Sequence, residues 1–132
     1  MTDAHTHIWP VRVYYEDTDL AGIVYYANYL KFIERARTEY VREMGVDQTR
    51  LKSEQGVVFA VQRVEADYLT PAHFDDRLSV ETTVVETTPA RLVMKQDVKR
   101  GDTLCFTAVV TIVALTAEGR PTRLPADIRR HL

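Results

Sequence analysis

Apolar and polar positions alternate along much of this 132-residue chain, and the period of the alternation changes from segment to segment. Residues 8–16, IWPVRVYYE, are rich in β-branched and aromatic side chains and predict a first strand. Pro10 has no N–H to give a ladder, which places it at that strand's start or on an edge. From about Tyr26 to Met44 the period lengthens. Tyr29, Ile33, Ala36, Tyr40 and Met44 recur three and four residues apart, the stripe of an amphipathic helix. Leu30, Phe32 and Val41 widen it, so the helix is expected to be well buried. Glu34, Arg35, Thr38, Glu39 and Arg42 fill the other face, with Arg35 and Glu39 as an i,i+4 pair. Asn28 is the expected N-cap, and Gly45 suits the position that ends the helix.

Four strand-like runs follow, at 57–69, 77–87, 91–99 and 103–116. In the second, Leu78, Val80, Thr82 and Val84 share a face; in the third, Leu92, Met94, Gln96 and Val98 do. Thr88-Pro89-Ala90 and Arg100-Gly101-Asp102 supply turn chemistry between them. The last stretch, EGRPTRLPADIRRHL, carries two prolines and reads as a surface tail. The order is therefore β-α-β-β-β-β, and short turns between consecutive strands imply antiparallel pairing. One long apolar helix beside such a sheet must pack across its face. An α+β layer is expected, the sheet curling around the helix, with residues 1–132 as a single domain.

Composition removes several function classes. The chain is 45% hydrophobic and 27% charged, an ordinary globular balance, and 17 basic against 19 acidic residues give a net charge of -2. Nothing in that balance favours nucleic acid or an anionic membrane. A single cysteine, Cys105, rules out an intramolecular disulfide and any cysteine-based zinc site. The opening MTDAHTHIWP lacks the apolar core of a signal peptide, and the apolar run 103–115 is too short to span a bilayer. A cytoplasmic protein without an integral membrane segment is the expectation.

Most catalytic signatures are missing. There is no G-x-S-x-G, no G-x-G-x-x-G and no G-x-x-x-x-G-K. Cys105 lies mid-strand and is expected to be a buried structural thiol. His5 and His7 stand near a mobile terminus, His131 in the tail, and His73 in the turn PAHFDD; all four are expected to be solvated, with no metal site among them.

One stretch differs from the rest. EDTDLAGIVYYANY, residues 16–29, places two aspartates and three tyrosines around one glycine. Asp17 and Asp19 are spaced to share a hard cation, though further oxygen ligands are lacking. Equally, both are ordinary turn and capping residues ahead of a helix. A third reading uses the whole segment. The start of a helix exposes free N–H groups with a positive local potential, suited to an oxyanion developing on a carbonyl. An aspartate just upstream can attack that carbonyl or activate a water to do so. Such a pairing suits a thioester, whose thiolate leaves with little need of a proton.

RVYYEDTDLAGIVYYANYLKFIERARTEYV resembles the opening of the hotdog-fold acyl-CoA thioesterases, in the 4-hydroxybenzoyl-CoA thioesterase superfamily and nearest to the YbgC-type enzymes associated with the Tol–Pal system. YLTPAHFDDRLSVET and RPTRLPADIRRHL continue the resemblance weakly, so it covers nearly the whole chain. It implies a hotdog fold, a curved antiparallel sheet wrapped around one long helix. It implies hydrolysis of acyl-CoA to a free acid and CoA, with no metal and no organic cofactor. Asp19 then matches the catalytic carboxylate, as nucleophile or general base, and Gly22 the opening of the helix end that polarises the thioester. The backbone N–H of Tyr26 matches the oxyanion donor, and Tyr15 a tyrosine that shapes the site. Arg91 is a candidate contact for CoA phosphates. A homo-oligomer, dimer or tetramer, is implied, with active sites at the subunit interface. Many YbgC-type sequences carry histidine where this chain has Tyr26, and a phenol, ordinarily titrating near ~10, is a poor base. The rival expectation is a non-catalytic acyl-thioester binder or envelope-associated partner on the same fold.

Overall fold

The computed structural model describes residues 5–129. Strand β1 (Thr6–Arg12) leads through a 3-10 turn at Tyr15–Asp17 and a short loop into helix α1 (Asn28–Glu43). Helix α2 (Gln48–Gln55) follows, then the long strands β2 (Val58–Tyr68), β3 (Arg77–Thr87), β4 (Arg91–Arg100) and β5 (Thr103–Leu115). A two-residue strand β6 (Pro121–Thr122) and a short helix α3 (Ala126–Arg129) complete the described chain. The strands form one antiparallel sheet in the order β1-β3-β4-β5-β2, with β6 beside β5. Among the described residues no helix is long and apolar enough to cross a membrane.

The alternation read in the sequence is the alternation observed. Leu78, Val80 and Thr82 of β3 and Leu92, Met94, Gln96 and Val98 of β4 all turn inward and are buried. They meet α1, whose Tyr29, Phe32, Ile33, Ala36 and Tyr40 are nearly inaccessible. The two polar members of that inner layer face each other across the β3–β4 ladder. Gln96, fully buried, donates to Thr82 Oγ1 (3.0 Å) and to the Ile33 carbonyl of α1 (2.9 Å), and its Oε1 accepts from Arg37 (3.0 Å). One amide thus ties helix to sheet with every polar atom paired, the condition on which a buried polar group is tolerated.

Six local readings need correction. The first strand stops at Arg12, because the Asp17 carboxylate takes the Tyr14 N–H (2.8 Å) and closes a 3-10 turn instead. Asn28 does not cap α1 but lies inside its first turn, buried, with its side chain turned back to Asp17. Arg35 does not pair with Glu39; Arg42 does, at 2.6 Å. Helix α2 has almost no apolar stripe, only Leu51 being buried, so periodicity misses it; Asp47, accepting from the Thr49 and Arg50 N–H groups, and Gly56, at φ +67°, mark its ends. Residues 118–129 are no surface tail: Leu124 and Ile128 are each 1% exposed and join the core. His7 is likewise not a solvated terminal residue. It sits in β1, stacked on Tyr40 with ring centres 5.0 Å apart. His131 lies outside the described residues.

Candidate active site

Asp17 and Asp19 are two residues apart and do different things. Asp17 is buried, its Oδ2 accepting from Tyr14 N–H (2.8 Å) and its Oδ1 from the Asn28 amide (2.9 Å). Its backbone carbonyl accepts from Tyr25 N–H at 2.8 Å. Asp17 therefore staples the loop to the first turn of α1. Asp19 is exposed. Its Oδ1 accepts from Ala21 N–H (2.9 Å), its N–H donates to the Ile23 carbonyl, and Oδ2 has no partner among the described residues. The result is a carboxylate held by one oxygen and free at the other.

Gly22 makes that placement possible. Its N–H donates to the Asp19 carbonyl (2.9 Å), closing a turn over residues 19–22, and its φ of +77° is left-handed. A side chain there would meet no neighbour, but the backbone would be strained. Gly22 does not open the helix end, because α1 begins only at Asn28. Between them Ile23 and Val24 are extended, bridged to His73 and Thr18, before a turn at Tyr26 and Ala27 enters the helix. His73 itself stays on the surface loop, as its sequence suggests.

The loop and the start of α1 form one wall of a cleft of about 300 Å³. Asp19 lies on it with Tyr25, Tyr26 and Tyr29; Tyr68 at the end of β2 and Cys105 of β5 form the other side. The Tyr26 and Ala27 N–H groups find no acceptor among the described residues, as expected for a helix N-terminus. The Tyr25 carbonyl accepts from Asn28 N–H (2.8 Å), which fixes the peptide that carries the Tyr26 N–H. Beside Asp19 the lining mixes the four tyrosines with Ile23, Val24, Leu69, Thr70 and Pro71. Tyr29 stacks flat on Phe106 (4.9 Å, 4°), its phenol accepts from Ala72 N–H, and burial pushes that phenol's pKa up. Cys105 is 1% exposed, and burial likewise raises its thiol, the state of a structural cysteine.

Of the five candidate residues, Asp19 and Tyr26 meet on the cleft and Gly22 shapes the turn between them. Tyr15 does not line it. That ring is 83% exposed and sits edge-on to Phe74 at 6.4 Å. Arg91 opens β4 and is paired with Glu86 at 3.3 Å, whereas the cleft borders the Arg100 end of that strand. The nine-residue step between them is roughly 30 Å of extended chain. Tyr68 belongs to the site and carries no local signal in the sequence. Only the register that pairs it with Phe106 on β5 brings it there. Among the described residues no cluster of three or more His, Cys, Asp or Glu is placed to hold a metal.

Comparison with known proteins bears on the family of the chain. The profile of the Thioesterase-like superfamily matches residues 13–132. The chain is 40% identical over 122 residues to the acyl-CoA thioesterase YbgC of Haemophilus influenzae, covering 92% of this chain and 90% of that one. Among solved structures, a probable thioesterase from Bartonella henselae is 37% identical with a TM-score of 0.88, over 92% of this chain and all of the other. A 4-hydroxybenzoyl-CoA thioesterase variant crystallised with 4-hydroxybenzoyl-CoA is 26% identical with a TM-score of 0.89, over 96% and 97% of the two chains. With its curved antiparallel sheet packed on one long helix and a profile match over nearly all of its length, the chain belongs to the thioesterase-like superfamily of hotdog-fold enzymes.

Proposed function

We propose that this protein hydrolyses acyl-CoA thioesters to a free carboxylic acid and CoA, with Asp19 as the catalytic carboxylate. The observation that carries the reading is the shared cleft: Asp19, whose Oδ2 is unpartnered, and Tyr26, whose N–H is unpartnered, line the same cavity. A thioester carbonyl seated between them is attacked at carbon by Asp19 itself or by a water that Asp19 deprotonates. The Tyr26 N–H, at the positive end of α1, receives the developing oxyanion. Collapse of the tetrahedral intermediate expels the CoA thiolate, which needs little protonation. If Asp19 is the nucleophile, water then cleaves the mixed anhydride. The Tyr26 side chain serves as cleft wall, not as base.

The acting form is a homo-oligomer, at least a dimer, with the cleft completed at the subunit interface. The support is an exposed apolar surface around the site. Tyr15, Leu20 and Phe74 are 83%, 106% and 56% exposed, and strand β2 offers a free edge with Val61 and Val64 uncovered. A second copy would cover that surface and screen the cleft from bulk solvent. Arg91, a strand's length from its own cleft, can then serve CoA phosphates only on a neighbouring copy. A cytoplasmic location fits a CoA substrate.

The test is thiol release from a panel of acyl-CoA esters, followed with a disulfide dye, for the natural protein and Asp19→Asn. Turnover of one acyl class by the first and near-absence in a folded second supports the reading. No turnover of any CoA ester by the natural protein would withdraw it.

A further inference from the structure

Tyr68 is the last residue of β2, and its hydroxyl donates a hydrogen bond to the backbone carbonyl of Tyr26 at 3.0 Å, across 42 residues of sequence. Tyr26 is the residue whose N–H receives the oxyanion in the reading above. The peptide before it is fixed by Asn28 N–H on the Tyr25 carbonyl; the peptide after it is fixed by Tyr68. Both flanks of the Tyr26 Cα are thereby set. The Tyr68 ring, 49% exposed, is braced on its buried side edge-on to Phe106 (5.1 Å), Tyr29 (5.7 Å) and Tyr26 (6.1 Å). Burial, and then the neighbouring Tyr26, push its phenol's pKa up, so it remains a protonated donor throughout the neutral range.

We propose that Tyr68 is a positioning residue for thioester hydrolysis: through the Tyr26 carbonyl it holds the Tyr26 N–H in the orientation that binds the oxyanion. The inference rests on the thioesterase reading of the same cleft. An oxyanion site works because its donors are aimed before charge develops, with no reorganisation left for the moment of reaction. Hydroxyl-to-carbonyl bonding also strengthens the N–H of the same peptide, that of Ala27, at the same helix end. Without the hydroxyl, the 26–27 peptide is free to turn about the Tyr26 ψ angle, and the Tyr26 Cα that joins it to the N–H-bearing peptide keeps only the Asn28 anchor. The ring stack, by contrast, needs only the aromatic body.

Tyr68→Phe separates the two, since it keeps the ring and its volume and removes only the hydroxyl. Removing an oxyanion donor outright costs ~100- to 1000-fold in kcat, so loosening one is expected to lower kcat by roughly 10-fold. KM should stay within about twofold, because ground-state binding does not use the oxyanion contact. The discriminating readout is a trifluoromethyl-ketone analogue of acyl-CoA, which forms a tetrahedral oxyanion adduct. Its affinity should fall in parallel with kcat, while that of free CoA does not change. A folded Tyr68→Phe protein with unchanged kcat and unchanged analogue affinity overturns the proposal, as does a loss confined to KM or to melting temperature. If the natural protein turns over no acyl-CoA, the thioesterase reading fails and takes this inference with it. If the natural protein is active, Asp19→Asn is dead and Tyr68→Phe is normal, only the role of Tyr68 is refuted.

Discussion

Exchanging each of the two neighbouring aspartates for asparagine should separate stability from chemistry. Asp17 is buried and both its oxygens accept, from Tyr14 N–H and from the Asn28 amide. An asparagine there presents an NH2 group to one of two donors, leaving a buried donor unpaired and a charge-assisted bond lost. Together these cost about 2–4 kcal/mol. A domain of this length has an unfolding entropy of about 0.28 kcal/mol/K, so Tm should drop by roughly 7–14 °C. Asp19 is exposed, and its one side-chain hydrogen bond, from Ala21 N–H, survives on the amide oxygen of an asparagine. That exchange should move Tm by about 2 °C or less, as for a surface substitution within ±0.5 kcal/mol. It should nevertheless lower kcat by more than the ~100- to 1000-fold of a single oxyanion donor, because it removes the base or nucleophile. The assay is differential scanning fluorimetry at fixed protein concentration, beside thiol release from the best acyl-CoA. An Asp17→Asn protein that melts normally but does not turn over, beside a merely slowed Asp19→Asn, would show that the two roles have been assigned the wrong way round.

Gln96→Leu should destabilise by about 2–4 kcal/mol in urea titrations, because it strips the half-buried Arg37 and Thr82 of their buried partner; an unchanged midpoint would mean the network contributes nothing. Tyr29 and Tyr40 have phenols raised above the ordinary 10.0, in both cases chiefly by burial. Above pH 10 the unfolded chain therefore releases protons that the folded one keeps. Their contribution is complete below pH 10 and is lost as pH rises through the folded values, so the urea midpoint should fall above about pH 10 and fall less in Tyr40→Phe. Cys105, buried and with its thiol raised from 9.0, should react with a disulfide dye only after denaturant is added. Reaction at the rate of a free thiol in the native protein would contradict that burial.

The hotdog arrangement could be read along the chain because its main elements advertise their inner faces. A strand with one buried side must alternate, as Leu92-x-Met94-x-Gln96-x-Val98 does, and a helix lying across a sheet must carry a stripe, as Tyr29 to Met44 does. The peculiar loop was also visible, since nothing about packing calls for Asp19 beside Gly22. Periodicity fails where an element buries only one residue, as α2 does with Leu51. It fails too where prolines break the pattern before Leu124 and Ile128 return to the core. It could not separate the two aspartates. Asp17 and Asp19 have the same chemistry and nearly the same neighbours, and what separates them is that Tyr14 N–H and the Asn28 amide, eleven residues on, both claim the Asp17 carboxylate. Nor could it bring Tyr68 to Tyr26 or send Arg91 to the far end of β4. Those distances follow from the strand order β1-β3-β4-β5-β2 and its register. Local periodicity records which face of an element avoids water, whereas which ends of two elements meet is decided only when the whole sheet closes over its helix.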